Sequence, residues 1–327
     1  MRTAVTGSIA TDHLATFPGR FSDQLIDGQL DHVSLSFLVE DLEVRRGGVA
    51  ANIAFGLGVL GLTPVLVGAV GTDFGEYEVW LKEHGVDTRH VRVSNSRQTA
   101  RFMCTTDSQQ NQIASFYSGA MAEAGLIDLA RLFEDDGSPD LVLVAPNDPA
   151  AMVRHTRQCR ELGIPFAADP SQQLARLDGG EVRELVDGAR WLFTNEYEAA
   201  LLMERTGWGP REVPARVGTW ITTCGAEGVR IVSDGTGTQA FPAVPAVRAV
   251  DPTGVGDAFR SGFLAACGWD MPMHAAVALG CAMATTALEA VGPQQYTVSP
   301  SALLARISAA YGASVASLLA PNLDRLP

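Results

Sequence analysis

Short apolar runs rich in valine and isoleucine alternate along the chain with segments of helical period, the pattern of a parallel sheet covered on both faces. Core strands are expected at Thr3–Ser8, Val65–Ala69, Asp140–Ala145, Pro165–Asp169, Trp191–Thr194 and Trp220–Thr223. Helices are expected between them near Val49–Leu60, Gly75–His84, Ala122–Phe133, Pro149–Leu162, Glu181–Asp187 and Glu196–Thr206. A hairpin around Asp234 and Gly235 follows, then two or three helices from Gly254 onward. Such a βαβ series predicts a doubly wound α/β fold, a mainly parallel sheet with helices on both faces.

Two regions break this rhythm. Val33–Val39 alternates with period two, and so do Thr99–Thr105 and Gln112–Tyr117, with no helical pattern between the last two. Antiparallel strands in an otherwise parallel protein predict a small β lid set apart from the main layer. The expected division is a lid of residues 10–47 and 91–119 on a large nucleotide-binding domain of residues 1–9, 48–90 and 120–327. An antiparallel edge added to the main sheet is the alternative that the pattern leaves open.

Composition narrows the class. A chain of 327 residues, 46% hydrophobic, buries a sizeable core. Its net charge of −13 opposes nucleic acid and anionic membrane as partners. The five cysteines are widely spaced and never form Cys-x-x-Cys, so neither a disulfide framework nor a zinc site is expected. No apolar run approaches the roughly 18 residues of a membrane span, and residues 3–10 do not read as a leader, so the protein is expected to be cytoplasmic.

The chemistry concentrates in Asp251-Pro252-Thr253-Gly254-Val255-Gly256-Asp257, which precedes the helix-compatible run Ala258–Leu264. Two glycines there place bare backbone N–H groups at a helix start, a site that binds anions. In phosphoryl transfer, charge collects on the oxygens of the moving group, and donors fixed beforehand at Gly254, Val255 and Gly256 stabilise it. Asp257, in the first helical turn, is placed to accept the proton of an attacking hydroxyl. A simple helix start, with acid favoured by the dipole, is the competing reading. Lys82 is the only lysine, and it fits neither a Walker loop nor the strand lysine of protein kinases, so a nucleotide here is held without a lysine clamp. Asp12 follows the first strand, where open α/β sheets bind ligands, and its carboxylate can accept two vicinal ribose hydroxyls.

The turn at 251–257, taken with Gly47-Gly48-Val49-Ala50-Ala51-Asn52, resembles the ribokinase-like (PfkB) carbohydrate and nucleoside kinases over nearly the whole chain. Val255 stands where the commonest form of the motif has alanine, which leaves the backbone N–H in place. The resemblance implies ATP as donor with Mg²⁺, Gly48 approaching the sugar and the Asn52 amide on a hydroxyl. Asn195 and Glu198 match the family's Asn-x-x-Glu, which orders the magnesium shell through water; the same spacing is also a capping box. Thr223, Gly225, Glu227 and Gly228 resemble the family's nucleotide edge, although two glycines three apart also read as a turn.

Finer stretches, Val5–His13, Ser34–Phe37, Gln112–Tyr117 and Ala168–Leu174, resemble bacterial adenosine kinases. By that resemblance Ser8, Asp12, Gly48 and Asn52 bind ribose, Ser36, Phe102 and Phe116 surround adenine, and Gln172 and Gln173 line the pocket. The lid would also make a homodimer through Val33, Leu35, Phe37 and Val39. The expected reaction is the purine-salvage step ATP + adenosine → AMP + ADP. Its rivals are a sugar kinase of the same family acting on ribose or fructose, and a catalytically silent nucleoside-binding regulator. A dinucleotide-dependent dehydrogenase is disfavoured because the first strand lacks Gly-x-Gly-x-x-Gly.

Overall fold

The computed structural model describes residues 1–25, 34–235 and 237–326. In chain order its strands are β1 (Thr3–Thr6), β2 (Ala10–Thr16), β3 (Asp41–Gly47), β4 (Val65–Val70), β5 (Val91–Val93), β6 (Ala100–Thr106), β7 (Gln112–Tyr117), β8 (Leu141–Val144), β9 (Phe166–Ala168), β10 (Trp191–Asn195), β11 (Thr219–Thr223), β12 (Val229–Ser233) and β13 (Gly237–Phe241). The α-helices are α1 (Val49–Val59), α2 (Gly75–Glu83), α3 (Leu129–Asp136), α4 (Pro149–Glu161), α5 (Gly179–Val186), α6 (Glu196–Thr206), α7 (Glu212–Arg216), α8 (Val255–Gly268), α9 (Met273–Leu288), α10 (Pro300–Tyr311) and α11 (Ala313–Leu323).

Nine of the described strands form one sheet in the order β13-β12-β11-β10-β9-β8-β1-β4-β5. Pairing is parallel from β5 to β11, and β12 and β13 close one edge antiparallel. The apolar runs are continuous because both faces are covered. Val65–Val70 is buried along its length. In β8, Leu141 and Leu143 enter the core shared with α1, α8 and α9, while Val142 and Val144 enter the core shared with α4 and α5. β1 lies between β4 and β8, and the chain winds outward from it in both directions. The carboxyl ends of β1 and β8 therefore flank a topological switch point, where sheets of this kind take ligands.

The remaining four strands form a separate small sheet, β3-β2-β6-β7. β2–β3 and β6–β7 are antiparallel, but β2–β6 is parallel, with Ala10 opposite Ala100. A parallel pair needs a long crossover, supplied here by the passage of the chain through α1, β4 and α2. Strand alternation puts Asp12, Arg45, Phe102 and Phe116 on one face, and Thr11, Val44, Met103 and Tyr117 on the other.

Several expected elements differ. Residues 34–39 form no strand, and Val33 lies outside the described residues. Their period-two pattern arises because Phe37 turns onto Phe17 and Phe21, with ring centroids 5.0 and 4.9 Å apart. The strand is instead β3, a largely charged sequence whose two apolar residues, Leu42 and Val44, are exposed. Phe37 is thus engaged within its own chain and does not form the outward apolar face expected of Val33, Leu35, Phe37 and Val39. The helix expected over Ala122–Phe133 is interrupted at Asp128, whose carboxylate accepts the N–H groups of Ala130 and Arg131 and starts α3 afresh. A 3₁₀ turn over Gly119–Leu126 precedes it. Val91–Val93 joins β4 at the edge of the large sheet, so the second segment of the small sheet begins after it. Four helices, not two or three, follow Gly254 among the described residues.

Candidate active site

The turn at 251–257 ends in the first residues of α8. Gly254 caps that helix in the left-handed region, φ 76° and ψ 2°, and no side chain caps it. Val255 N–H reaches the Pro252 carbonyl at 3.4 Å, and among the described residues no acceptor takes the N–H groups of Gly256 or Asp257. These orphan donors stand at the positive end of the helix dipole, a position where backbone N–H groups attract anions. Asp251 shapes the turn. Its carboxylate accepts Thr253 N–H at 2.9 Å, Gly292 N–H at 3.0 Å and the Arg45 guanidinium of β3 at 2.9 Å. Burial raises its pKa, but the Thr253 and Gly292 bonds and Arg45 outweigh that and hold it below the usual range.

Asn52 and Asp257 meet because α1 and α8 touch one turn further along. Gly56 sits four residues after Asn52, and Ser261 four after Asp257, so each pair shares a helix face. A Cβ at Gly56 would collide with Ser261 Oγ. Its absence lets Ser261 donate to the Ile53 carbonyl at 3.1 Å. At the mouth of the cleft, Asn52 Nδ2 then donates to Asp257 Oδ2 at 2.8 Å. The α1 turn is equally specified. Gly48 has φ 92°, and a Cβ on it would lie 2.6 Å from both the Ser8 carbonyl oxygen and Ala10 N. Ser8 anchors the helix, its hydroxyl accepting Val49 N–H at 3.0 Å and its carbonyl the N–H groups of Ala50 and Ala51.

Beneath the start of α8 lies a buried ion pair. Arg260, one turn beyond Gly256, holds Asp169 at the end of β9 through Nε at 2.5 Å and a second nitrogen at 2.7 Å, and its third nitrogen donates to the Gly256 carbonyl at 3.0 Å. Burial pushes Asp169 up to about 6 against the pull of Arg260. Burial also raises Asp257, opposed by the Asn52 hydrogen bond and by Arg260. A carboxylate above its ordinary pKa is a stronger base, as proton abstraction requires.

Beside the turn stands the small sheet, joined to it through Arg45. Asp12, Phe102 and Phe116 occupy adjacent positions on one face, Asp12 opposite Phe102 and Phe102 opposite Phe116. Phe116 is 51% exposed, an aromatic ring without a covering neighbour. Asp12 lies against Gly47, where a Cβ would come within 2.9 Å of its carboxylate. Burial pushes Asp12 up to about 6, Arg45 opposing and nearby Asp251 adding to the rise. Ser36 is exposed and outside any strand, and among the described residues no hydrogen bond joins it to this group. Gln173 is buried with Oε1 unpartnered among the described residues, whereas the neighbouring Gln172 is exposed and accepts the Ser171 hydroxyl at 2.7 Å.

The expected nucleotide edge lies further along the same side of the sheet. Asn195 and Thr223 are register partners at the carboxyl ends of β10 and β11. Gly225, φ 55°, has open space above it; Gly228, φ 96°, packs against the chain near Phe241, and Glu227 is exposed. Asn195 and Glu198 form a complete capping box on α6, with Asn195 N–H to Glu198 at 2.7 Å and the reciprocal bond at 2.8 Å. Glu198 faces the site, since its charge bears on Asp257, Asp169 and Arg260. Lys82 pairs with Glu78 on the exposed face of α2.

Sequence reading passed over Asp169, Arg260, Arg45, Tyr77 and Gln294 as site residues. One signal was present: Arg260 interrupts the otherwise apolar run Ala258–Leu264, and a cation inside a buried helix needs an acid nearby. Gln294 carries no local signal. It follows Gly292-Pro293 in a loop without period.

The fold and this cleft are those of a known family. The family model for PfkB carbohydrate kinases matches residues 11–300. The chain belongs to the PfkB family, the ribokinase-like carbohydrate kinases. It is 33% identical over 243 residues to the nucleoside kinase of Methanothermobacter thermautotrophicus, covering 71% of this chain and 74% of that one. The structure of the Burkholderia thailandensis nucleoside kinase in complex with inosine superposes with TM-score 0.82 at 35% identity, covering 95% of this chain and 98% of the other. An ATP-dependent ribose-1-phosphate kinase of Halopiger xanaduensis is 32% identical over 231 residues, 67% of this chain and 72% of that one.

Proposed function

We propose that the protein is an ATP-dependent nucleoside kinase that phosphorylates the ribose 5′-hydroxyl of purine nucleosides, adenosine foremost, to give the nucleoside monophosphate and ADP. One observation carries the reading. A half-buried carboxylate beside a bare N–H cradle stands next to a sheet that presents an acid and two phenylalanine rings side by side. Asp257 takes the proton of the hydroxyl, and the cradle at Gly254–Gly256 stabilises the transferred phosphoryl group. Asp12 accepts the vicinal ribose hydroxyls, and Asn52 keeps one amide hydrogen for a hydroxyl while the other holds Asp257.

The base is met by Phe102 and Phe116, since stacking on an aromatic ring contributes about 1–3 kcal/mol. Gln173 supplies an amide whose free oxygen suits the exocyclic amine of adenine; turned over, it would donate to the oxo group of hypoxanthine. Inosine, which the Burkholderia thailandensis relative binds, is therefore a plausible second acceptor.

The residues fit magnesium carried in by the nucleotide. Glu198 already accepts Asn195 N–H and the Ser171 hydroxyl at 3.3 Å, leaving lone pairs for metal-bound water, and no group of three or more acids, histidines or cysteines among the described residues forms a cage of its own. When bound, magnesium would be held through water at Glu198 and would neutralise charge developing on the phosphates. A homodimer would use the outer face of the small sheet, where Leu42, Val44, Met103, Ile113 and Tyr117 are all exposed. Among the described residues no helix is long and apolar enough to cross a membrane.

The test is ADP release from ATP and Mg²⁺ with adenosine, inosine, ribose, fructose and ribose 1-phosphate offered in turn. The proposal expects kcat/KM to be highest for adenosine and lowest for the free sugars. Turnover of ribose or ribose 1-phosphate above either nucleoside would overturn it.

A further inference from the structure

The catalytic base is reached by a chain of side chains, buried except for the half-buried Trp80, whose hydrogen bonds allow only one orientation. It begins at Trp80 of α2. An indole N–H can only donate, and Trp80 Nε1 lies 3.1 Å from Gln294 Oε1. The oxygen end of that amide is therefore fixed, and its nitrogen is turned to two acceptors, Tyr77 Oη at 2.5 Å and Asn52 Oδ1 at 2.8 Å. Tyr77 accepts there because its own proton goes to the Gly47 carbonyl at 2.8 Å. With Oδ1 committed to Gln294, Asn52 has only its nitrogen left for Asp257 Oδ2. Asp257 Oδ1 takes no hydrogen bond from any described residue and stays available for a proton.

The parts are held firmly. Gln294 is 2% exposed, and Tyr77 and Asn52 are 5% exposed. Trp80 stacks on Phe55 and lies under the Arg46 guanidinium at 4.4 Å. Reversing the Gln294 amide would set its N–H₂ against the indole N–H, two donors face to face in a dry site, at the cost of an unsatisfied buried group.

We propose that Trp80 and Gln294 are positioning residues for catalysis: through one oriented relay they oblige Asn52 to offer Asp257 a donor instead of an acceptor. The proposal rests on Asp257 being the base. The relay also ties that base to the Gly47-Gly48 turn through Tyr77, so the acid and the sugar-facing turn keep a common register. The charged groups that face Asp257 are Arg260 on its own helix, Glu198 on α6 and Asp169 beyond β9; burial keeps Tyr77 and Tyr296 neutral. None of the three charged groups is touched by the variants below.

Trp80→Phe keeps the ring and removes the one donor that orients Gln294, and Gln294→Met keeps volume and removes the amide. In either variant Asn52 is free to turn its oxygen toward Asp257, which disfavours the carboxylate. The acid limb of kcat against pH should move upward by roughly one unit, a loss of about tenfold in rate on its acid side. The alkaline plateau should stay within about threefold of wild type, below the hundredfold scale of losing the base itself. A uniform fall at every pH with an unmoved limb in both variants would make the relay merely structural and overturn the proposal.

A second measurement needs no turnover. In the ligand-free protein the Trp80 indole N–H resonance, identified by its absence from Trp80→Phe, should shift as Asp257 ionises, and that shift should vanish in Asp257→Asn. An identical titration in Asp257→Asn would overturn the relay. Because this readout is independent of the acceptor, a failed nucleoside assay would count against the function and leave the relay test standing.

Discussion

Asp169→Asn tests the foundation of the proposed phosphate cradle. The ion pair is almost dry, with side-chain exposures of 7% for Arg260 and 1% for Asp169. Asparagine keeps one oxygen but removes the charge, leaving a guanidinium, 5.4 Å from the Phe193 ring, with only neutral oxygens, the new amide and the Gly256 carbonyl, as partners. Breaking one side of such a pair costs about 3–5 kcal/mol, because the surviving charge stays buried. That is a large share of the roughly 5–15 kcal/mol that holds a domain together. Arg260→Met should behave differently. The orphaned Asp169 can escape by taking a proton, and burial already lifts it to about 6 with its partner in place. Without the arginine its folded pKa rises further above the unfolded value near 3.9. The folded state then gains protons as pH falls through that raised pKa, so Arg260→Met should become more stable from pH 7 to pH 5. The penalty of Asp169→Asn should grow over the same range, because the wild-type acid, lifted to about 6, takes up a proton that asparagine cannot. Urea unfolding at the two pH values measures both. The double change Asp169→Leu with Arg260→Met should cost far less than the two single changes added together. A cost below about 1 kcal/mol for Asp169→Asn, or simple additivity in the double variant, would refute a coupled buried pair.

Asp257→Asn should lower kcat by at least about 10², the low end of general-base effects, while isothermal titration still registers nucleoside binding. Asp12 should make nucleoside capture pH-dependent: below its pKa of about 6 it is protonated and loses acceptor strength, so KM should climb as pH falls from 7 to 5. The raised folded pKa also means that Asp12 contributes stability below about 6 that is lost as pH rises through it. Gly48→Ala should destabilise by about 2 kcal/mol or more in thermal unfolding, since φ 92° is disfavoured for alanine and the new Cβ meets backbone on three sides.

The large sheet was legible because β4 and β8 are buried on both faces and so read as unbroken apolar runs. The turn at 251–257 was legible because its glycines and acid are contiguous. The small sheet was only half legible. β6 and β7 were found, but β2 carries Thr11, Asp12 and His13 in succession, and β3 is Asp-Leu-Glu-Val-Arg-Arg-Gly; their inner face addresses a cleft, so neither has the apolar alternation of a strand on a core. Leu35 and Phe37 mimicked that alternation in a segment that folds over Phe17 and Phe21. The polar partners of Asp257 were hidden for another reason. Asn52, Gln294 and Asp257 come from three distant parts of the chain, and only the approach of α1 to α8 makes them neighbours.

The parallel pairing of β2 with β6 has a consequence for how the protein comes into being. Ala10 must find Ala100, and most of the intervening chain belongs to the large body. Closing so long a loop is slow unless the body has already gathered its ends. The sheet that carries Asp12 and the two phenylalanines is then the last part to assemble. All five tryptophans, at 80, 191, 208, 220 and 269, lie outside that sheet, but Trp80 meets it under Arg46 of β3, so fluorescence reports mainly the body and registers the late step at that junction. A freshly refolded sample can therefore recover most of its native fluorescence while the sheet with Asp12 and the two phenylalanines is still unformed.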